Sequence, residues 1–216
     1  MRALVVRQFG DPDAIELIET DTPVPGPGEV RIKVAAAAVN PVDLATAGVT
    51  GVQPGSEVVG LVDLLARSLK THGEPVVLDA RAVAPAPRNV DPVAASSFGL
   101  NALTALQALD RLDLIAGESL PVTGAAGGVG GYAVELAKHR GLTVIAVAGE
   151  DDEELVRGFG ADHFVPRSAD LATAVRAVVP GGADAAVDAV VLGVGTQDGV
   201  RNGGQLAYLI GGSAPG

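Results

Sequence analysis

The stretch that decides the fold is residues 120–150, LPVTGAAGGVGGYAVELAKHRGLTVIAVAGE. An apolar run leads into a glycine-rich turn, and apolar residues then recur at steps of three and four until Gly141, where a second apolar run begins. These patterns predict a strand, a helix over residues 128–140 and a second strand over residues 142–148. Glycine at position 141 fits the end of that helix, because it adopts the left-handed conformation without strain. The predicted apolar face of the helix consists of Val129, Tyr132, Ala133, Leu136 and Ala137.

The glycine-rich turn carries the chemistry of this stretch. The first amides of a helix have no partner within the helix, and the helix dipole favours negative charge there. A diphosphate reaches those amides only where no side chain blocks it, and Gly127, Gly128 and Gly130 leave the approach open. Ala125 occupies the first glycine position of a strict G-x-G-x-x-G pattern, and Glu150 follows where a ribose-binding acid is expected. The turn therefore predicts dinucleotide binding, and the alternative is a turn that only packs a helix on a sheet.

The pattern of apolar and polar residues changes near residue 91. Beyond it, helical patterns cover residues 91–112, 152–159 and 169–179, and strand patterns cover residues 119–123, 184–188 and 205–210. Alternation of strands and helices predicts an α/β unit with a parallel sheet covered on both faces. Residues 1–90 instead show short alternating strands and proline-glycine turns, as in residues 22–28, which predicts a β-rich unit.

Composition excludes several classes of function. The 216 residues carry a formal net charge of −11 and include only three lysines, so no basic surface is predicted that could bind nucleic acid. Cysteine is absent and three histidines are scattered, which excludes disulfides, thiol nucleophiles and thiolate zinc sites, and no metal site is predicted. Every apolar run is shorter than the ~18 residues that a membrane span needs. We therefore expect a cytoplasmic protein with no membrane partner.

Four motifs resemble those of a known family, in the same order along the chain. They are NPVD at residues 40–43, ALTALQAL at 102–109, AAGGVG at 125–130 and GADH at 160–163. Together they resemble the quinone oxidoreductase branch of the zinc-independent medium-chain dehydrogenase/reductase family. The resemblance implies a β-rich, GroES-like catalytic domain over residues 1–90 and a Rossmann domain over residues 91–216.

The same resemblance implies an activity. It predicts an NAD(P)H-dependent reductase of quinones or α,β-unsaturated carbonyl compounds, acting by hydride transfer without zinc and usually with NADPH. The alternative is a redox-inactive nucleotide-binding, scaffold or non-redox pathway protein on the same fold.

The resemblance also implies a set of cofactor-binding residues. They are Ala126, Gly127, Gly128, Val129 and Gly130 for the diphosphate, Gly149, Glu150 and Arg167 for the adenosine ribose and its 2′-phosphate, and Asn40, Thr104, Leu192, Ile210, Gly211 and Gly212 around the nicotinamide. The sequence nominates no catalytic acid, and both tyrosines, Tyr132 and Tyr208, are predicted to be packing residues.

The choice between NADH and NADPH stays open at the level of sequence. Five acids at residues 150–154 would repel a 2′-phosphate, whereas Arg167 would attract it. The other account of these acids is structural: Asp151 and Glu154 form a capping box for the next helix.

The chain also departs from the family pattern. It stops at Gly216 where the family continues, it is short over residues 64–74, and no tyrosine follows the NPVD motif. We therefore expect a partner chain that covers the sheet, a shortened form with reduced, lost or changed activity, or a fragment. The resemblance implies dimerisation through the edge of the Rossmann sheet, but the strand that forms this edge is missing from the sequence pattern. A monomer and a differently built homodimer are therefore both expectations.

Overall fold

The computed structural model describes residues 1–6, 15–38, 53–61, 73–190 and 192–209. The chain forms two compact units, Met1–Leu100 and Asn101–Gly216. The assignment of a catalytic role to the first unit and a cofactor role to the second stays a prediction.

The first unit is built from short antiparallel strand pairs. Its strands are β1 (Arg2–Val6), β2 (Ile15–Glu19), β3 (Glu29–Lys33), β4 (Val58–Gly60), β5 (Pro75–Asp79) and β6 (Val83–Pro85). They pair as β1 with β2, β3 with β5 and β4 with β6. Val76, Leu78 and Val83 form a small buried core here. Asp91 caps the start of helix α1 (Pro92–Ser96), because its carboxylate accepts hydrogen bonds from the backbone amides of Val93 and Ala94.

The second unit is a parallel sheet with helices. Its strands are β7 (Ser119–Thr123), β8 (Thr143–Ala148), β9 (His163–Pro166), β10 (Ala183–Asp188) and β11 (Val200–Tyr208), and its helices are α2 (Leu103–Leu112), α3 (Gly128–His139), α4 (Glu153–Gly158), α5 (Leu171–Val178) and α6 (Val194–Asp198). The strand order is β11-β10-β7-β8-β9, and all neighbours are parallel. The predicted α/β class with a parallel Rossmann-type sheet is confirmed. From β7 the chain adds β8 and β9 on one side and then returns to add β10 and β11 on the other, so the strand order reverses between β7 and β10. In such sheets ligands bind at this reversal point, beyond the carboxyl ends of the strands.

Three details differ from the predicted pattern. Strand β11 begins at Val200 rather than at residue 205, because a register shift against β10 accommodates Gly203 and Gly204 within the strand. Helix α6 was not predicted, since its five residues, VGTQD, show no helical periodicity. A π-helical turn, Phe98–Ala102, connects α1 to α2.

Helix α3 packs on the sheet through a face turned by about one residue from the predicted one. Its buried positions are Gly130, Gly131, Ala133, Val134 and Ala137. Three residues of the predicted face, Val129, Tyr132 and Leu136, are only partly buried against the same core. The small side chains allow the helix to approach the sheet closely, and this approach places its amino terminus at the end of β7.

Candidate functional site

The turn between β7 and α3 lies at the reversal point of the sheet. Gly124 directly follows β7 and has a φ of +64°, which favours glycine. The amide of Gly127 donates to the carbonyl oxygen of Gly124 over 2.9 Å and closes the turn. The glycine of the tight turn is therefore Gly124, the residue directly before Ala125. Ala125 is fully buried, and its backbone amide donates a hydrogen bond to the carbonyl oxygen of Val147.

Gly130 is the position where helix and turn come closest. A Cβ atom there would overlap the carbonyl oxygen of Gly124, and it would lie 2.6 Å from the carbonyl carbon of Gly124 and 2.9 Å from the Cα of Ala125. Real Cβ atoms essentially never approach backbone atoms this closely, and backbone cannot move aside as a flexible side chain can. Glycine at position 130 is thus a steric requirement of this turn.

The amino terminus of α3 is open. Within the described residues no side chain caps it, and its first turn contains no acidic residue. The amide of Gly131 donates to Gly127 over 2.7 Å, and the amides of Gly128 and Val129 precede this first helical bond. Gly128 is exposed and Val129 is half-buried. Unpaired amides at the positive end of a helix dipole form a binding site for an anion such as a phosphate.

A buried carboxylate holds the loop on the other side of the turn. Asp188, at the end of β10, accepts hydrogen bonds from the Thr123 hydroxyl over 2.7 Å and from the amides of Gly193 over 2.8 Å and Val190 over 3.3 Å. Burial alone would raise the pKa of Asp188, but these hydrogen bonds favour the charged form, and the net effect is a lowered pKa. These bonds anchor the loop after β10 beside Gly124. The loop is so close that a Cβ atom added to Gly124 would lie 2.5 Å from Cγ1 of Val190.

The residues predicted for the adenosine ribose lie together at the ends of β8 and β9. A Cβ on Gly149 would lie 3.3 Å from Nη2 of Arg167, and Glu150 accepts a hydrogen bond from the Ser168 hydroxyl over 2.9 Å. The amide of Gly149 donates to the carboxylate of Asp152 over 3.1 Å. Among the described residues Arg167 forms no ion pair, so its guanidinium is available to a ligand.

The predicted capping box of Asp151 and Glu154 is wrong. A short 3₁₀ turn, Glu150–Asp152, comes between β8 and α4 and shifts the cap. Asp152 therefore caps the amide of Gly149, while α4 begins with no side-chain cap among the described residues.

The other predicted site residues have different outcomes. Thr104 lies half-buried in the first turn of α2, and Leu192 is 49% exposed in the loop that Asp188 anchors. Asn40, Ile210, Gly211 and Gly212 lie outside the described residues. The cofactor roles of the whole set stay predictions.

Three residues in or beside this turn were not nominated from the sequence. Gly124 has a local signal, since it directly follows an apolar strand and precedes Gly127 and Gly130 at steps of three. Asp188 and Asn101 have a weaker one, as single polar residues that end or interrupt an apolar segment. Asn101 lies in the π-helical turn and is 9% exposed.

The described residues contain neither a metal-binding cluster nor a membrane-spanning helix. No group of three or more His, Cys, Asp or Glu side chains there could hold a metal ion. None of the helices described has both the length and the apolar character to span a membrane.

Comparison with known proteins gives consistent matches. The family described as zinc-binding dehydrogenase matches residues 128–208. The chain is 29% identical to the chloroplastic NADPH-dependent alkenal/one oxidoreductase of Arabidopsis thaliana, over 100% of this chain and 64% of that protein. It is 29% identical to the human quinone oxidoreductase, over 74% of this chain and 57% of that protein. The chain thus spans less than two thirds of the length of both curated relatives.

Solved structures agree with these matches. The quinone oxidoreductase of Thermus thermophilus, solved also in complex with NADPH, superposes with a TM-score of 0.83 at 28% identity. The superposition covers 100% of this chain and 75% of that one.

Proposed function

The chain belongs to the medium-chain dehydrogenase/reductase family, on its zinc-independent, quinone oxidoreductase-like branch, and we propose that it is an NAD(P)H-dependent reductase of quinones or α,β-unsaturated carbonyl compounds. One observation carries the proposal. The amides of Gly128 and Val129 are open at the amino terminus of α3, at the reversal point of a parallel sheet. The turn fits a diphosphate because glycine leaves no side chain over those amides.

The residues of this chain contribute binding and orientation. A bound nicotinamide cofactor would supply the hydride. The open amides of α3 hold the diphosphate, and Asp188 fixes the loop that carries Leu192 beside the turn. Asp188 does this through Thr123 and through backbone amides, so it is a positioning residue and leaves proton transfer to other groups.

We propose NADPH as the preferred cofactor. Arg167 is free of ion pairs among the described residues, and it lies beside Gly149 at the end of β8. Glu150, the nearest predicted ribose ligand, accepts a hydrogen bond from Ser168. The guanidinium of Arg167 suits a 2′-phosphate, which carries between one and two negative charges at pH 7, whereas the Ser168 hydroxyl already donates its hydrogen to Glu150.

Replacing Arg167 by alanine tests this preference. We expect the KM for NADPH to rise about tenfold, because a charge-assisted hydrogen bond to a phosphate is lost. The KM for NADH should change less than about twofold, since NADH has no 2′-phosphate. Steady-state kinetics with both cofactors measure the difference.

Arg157→Ala is the matched control for this variant. Arg157 also carries a positive charge, but it pairs with Glu153 on the surface of α4 over 2.7 Å, whereas Arg167 forms no ion pair among the described residues. It should leave both KM values unchanged. An equal loss for NADPH and NADH in Arg167→Ala would show that Arg167 does not recognise the 2′-phosphate.

The activity itself is tested with purified protein, both reduced cofactors and a panel of quinones and enones. Oxidation of NADPH that depends on one of these acceptors supports the proposal. Calorimetric binding of NADPH without turnover of any acceptor would instead support a redox-inactive nucleotide-binding protein. Sedimentation of the same sample decides between a homodimer and a monomer, both of which stay predictions.

A further inference from the structure

Asn101 is a buried polar residue beside the open end of α3. It is 9% exposed, and its amide nitrogen lies 2.7 Å from the point where a Cβ of Gly128 would be. Its carbonyl oxygen Oδ1 lies 3.6 Å from the same point. The NH₂ group of Asn101 is thus the part of the side chain nearest to the first residue of the helix.

Within the described residues the side chain of Asn101 forms no hydrogen bond, and its polar atoms keep some access to solvent. Buried amides are nearly always hydrogen-bonded, because an unpaired one loses its hydration without compensation. An NH₂ group on a largely buried side chain that lies beside the exposed Gly128, lacks a protein partner and is not sealed from solvent therefore points to a ligand.

Gly128 supports the same interpretation. A side chain at this position would displace the amide of Asn101, so glycine here keeps that amide beside the turn as well as leaving the helix end open. Asn101 also lies in the π-helical turn Phe98–Ala102, directly before α2. π-Helical turns are rare in proteins, and they are frequent at functional sites.

We propose that Asn101 binds the diphosphate of the dinucleotide, donating a hydrogen bond from its NH₂ group next to the amides of Gly128 and Val129. The inference rests on the proposed function, because it assigns a further residue to the same cofactor site. The NH₂ group of Asn101 is a neutral donor, and the first turn of α3 contains no charged side chain that would compete with it for the phosphate. The acceptor is a charged phosphate oxygen, so the bond belongs to the stronger class of hydrogen bonds.

Two substitutions at Asn101 test the proposal by binding titrations. Asn101→Ala should weaken NADPH binding about 10-fold, because one charge-assisted hydrogen bond is lost. Asn101→Asp keeps the size of the side chain but places a carboxylate against the diphosphate, and it should weaken NADPH binding about 100-fold. Binding of 2′-AMP, which has a 2′-phosphate but no diphosphate, should stay unchanged in both variants.

Asn202→Asp is the matched control, since it adds the same negative charge at an exposed position in β11. It should bind both ligands like the wild type. Wild-type affinity for NADPH in Asn101→Ala would overturn the inference and leave the proposed function intact. An equal loss of NADPH and 2′-AMP binding would overturn it too, by showing that Asn101 only packs the fold. A wild-type protein that does not bind NADPH would overturn the inference together with the proposed function.

Discussion

Alanine at position 130 is expected to lower the free energy of unfolding by at least about 3 kcal/mol and to abolish dinucleotide binding. The added Cβ would overlap the carbonyl oxygen of Gly124 and lie 2.9 Å from the Cα of Ala125. Both neighbours are backbone atoms, so the clash is relieved only if α3 moves away from the end of β7. That movement would separate the helix amides from the turn. Chemical denaturation and calorimetric titration with NADPH measure the two effects.

Gly158→Ala is the control for Gly130→Ala. Gly158 is the last residue of α4, and no atom beyond its chain neighbours and the adjoining helix backbone lies within 4 Å of the position that its Cβ would occupy. Alanine also has the higher helix propensity, so this variant should be more stable than the wild type, by less than about 1 kcal/mol. Wild-type stability in Gly130→Ala would contradict the close approach of α3 to Gly124.

The second large effect is expected at Asp188. Replacing it by alanine leaves the Thr123 hydroxyl and the amides of Val190 and Gly193 without their acceptor. The Thr123 hydroxyl bond is buried and the two backbone bonds are partly buried. An unsatisfied buried donor costs about 1 to 3 kcal/mol, so the free energy of unfolding should fall by about 3 kcal/mol. Because the loop after β10 is released, the KM for NADPH should rise as well. Denaturation and steady-state kinetics report the two effects separately.

The charge of Asp188 also predicts a pH dependence. Its pKa in the folded protein lies below the ordinary value of 3.8, so the unfolded chain binds the proton more tightly than the folded one. Asp188 therefore stabilises the fold at pH values above the unfolded pKa, and this contribution is lost as the pH falls through the lower, folded pKa. Asp188→Asn keeps the shape without the titration. The stability difference between wild type and Asp188→Asn should shrink below about pH 4, and a constant difference would contradict the pKa shift.

Local patterns were sufficient to predict most of the second unit. Helix α3 and strand β8 follow from apolar periodicity and from Gly141, which has a φ of +77° at the end of the helix. These signals are local, because a helix end and a tight turn each depend on a few neighbouring residues. The β-rich character of residues 1–90 was equally readable, since β3 shows clean alternation.

The missed parts of the site depend on tertiary contacts. Asp188 matters because Thr123, 65 residues earlier in the chain, donates to it. Asn101 matters because α3 brings Gly128 against it. Neither partner is visible in the local sequence, where both residues appear only as single polar positions. The capping box failed for a related reason, because a 3₁₀ turn moved the cap from Asp151 to Asp152.

The most direct test of the account is nuclear magnetic resonance of the backbone amides during a titration with NADPH. A diphosphate held at the start of α3 should shift the amide proton signals of Gly128 and Val129 downfield, with the same saturation curve as calorimetric binding. An equal concentration of 2′-AMP should leave both signals in place. If NADPH saturates the protein by calorimetry while the signals of Gly128 and Val129 do not move, the diphosphate does not bind at this turn.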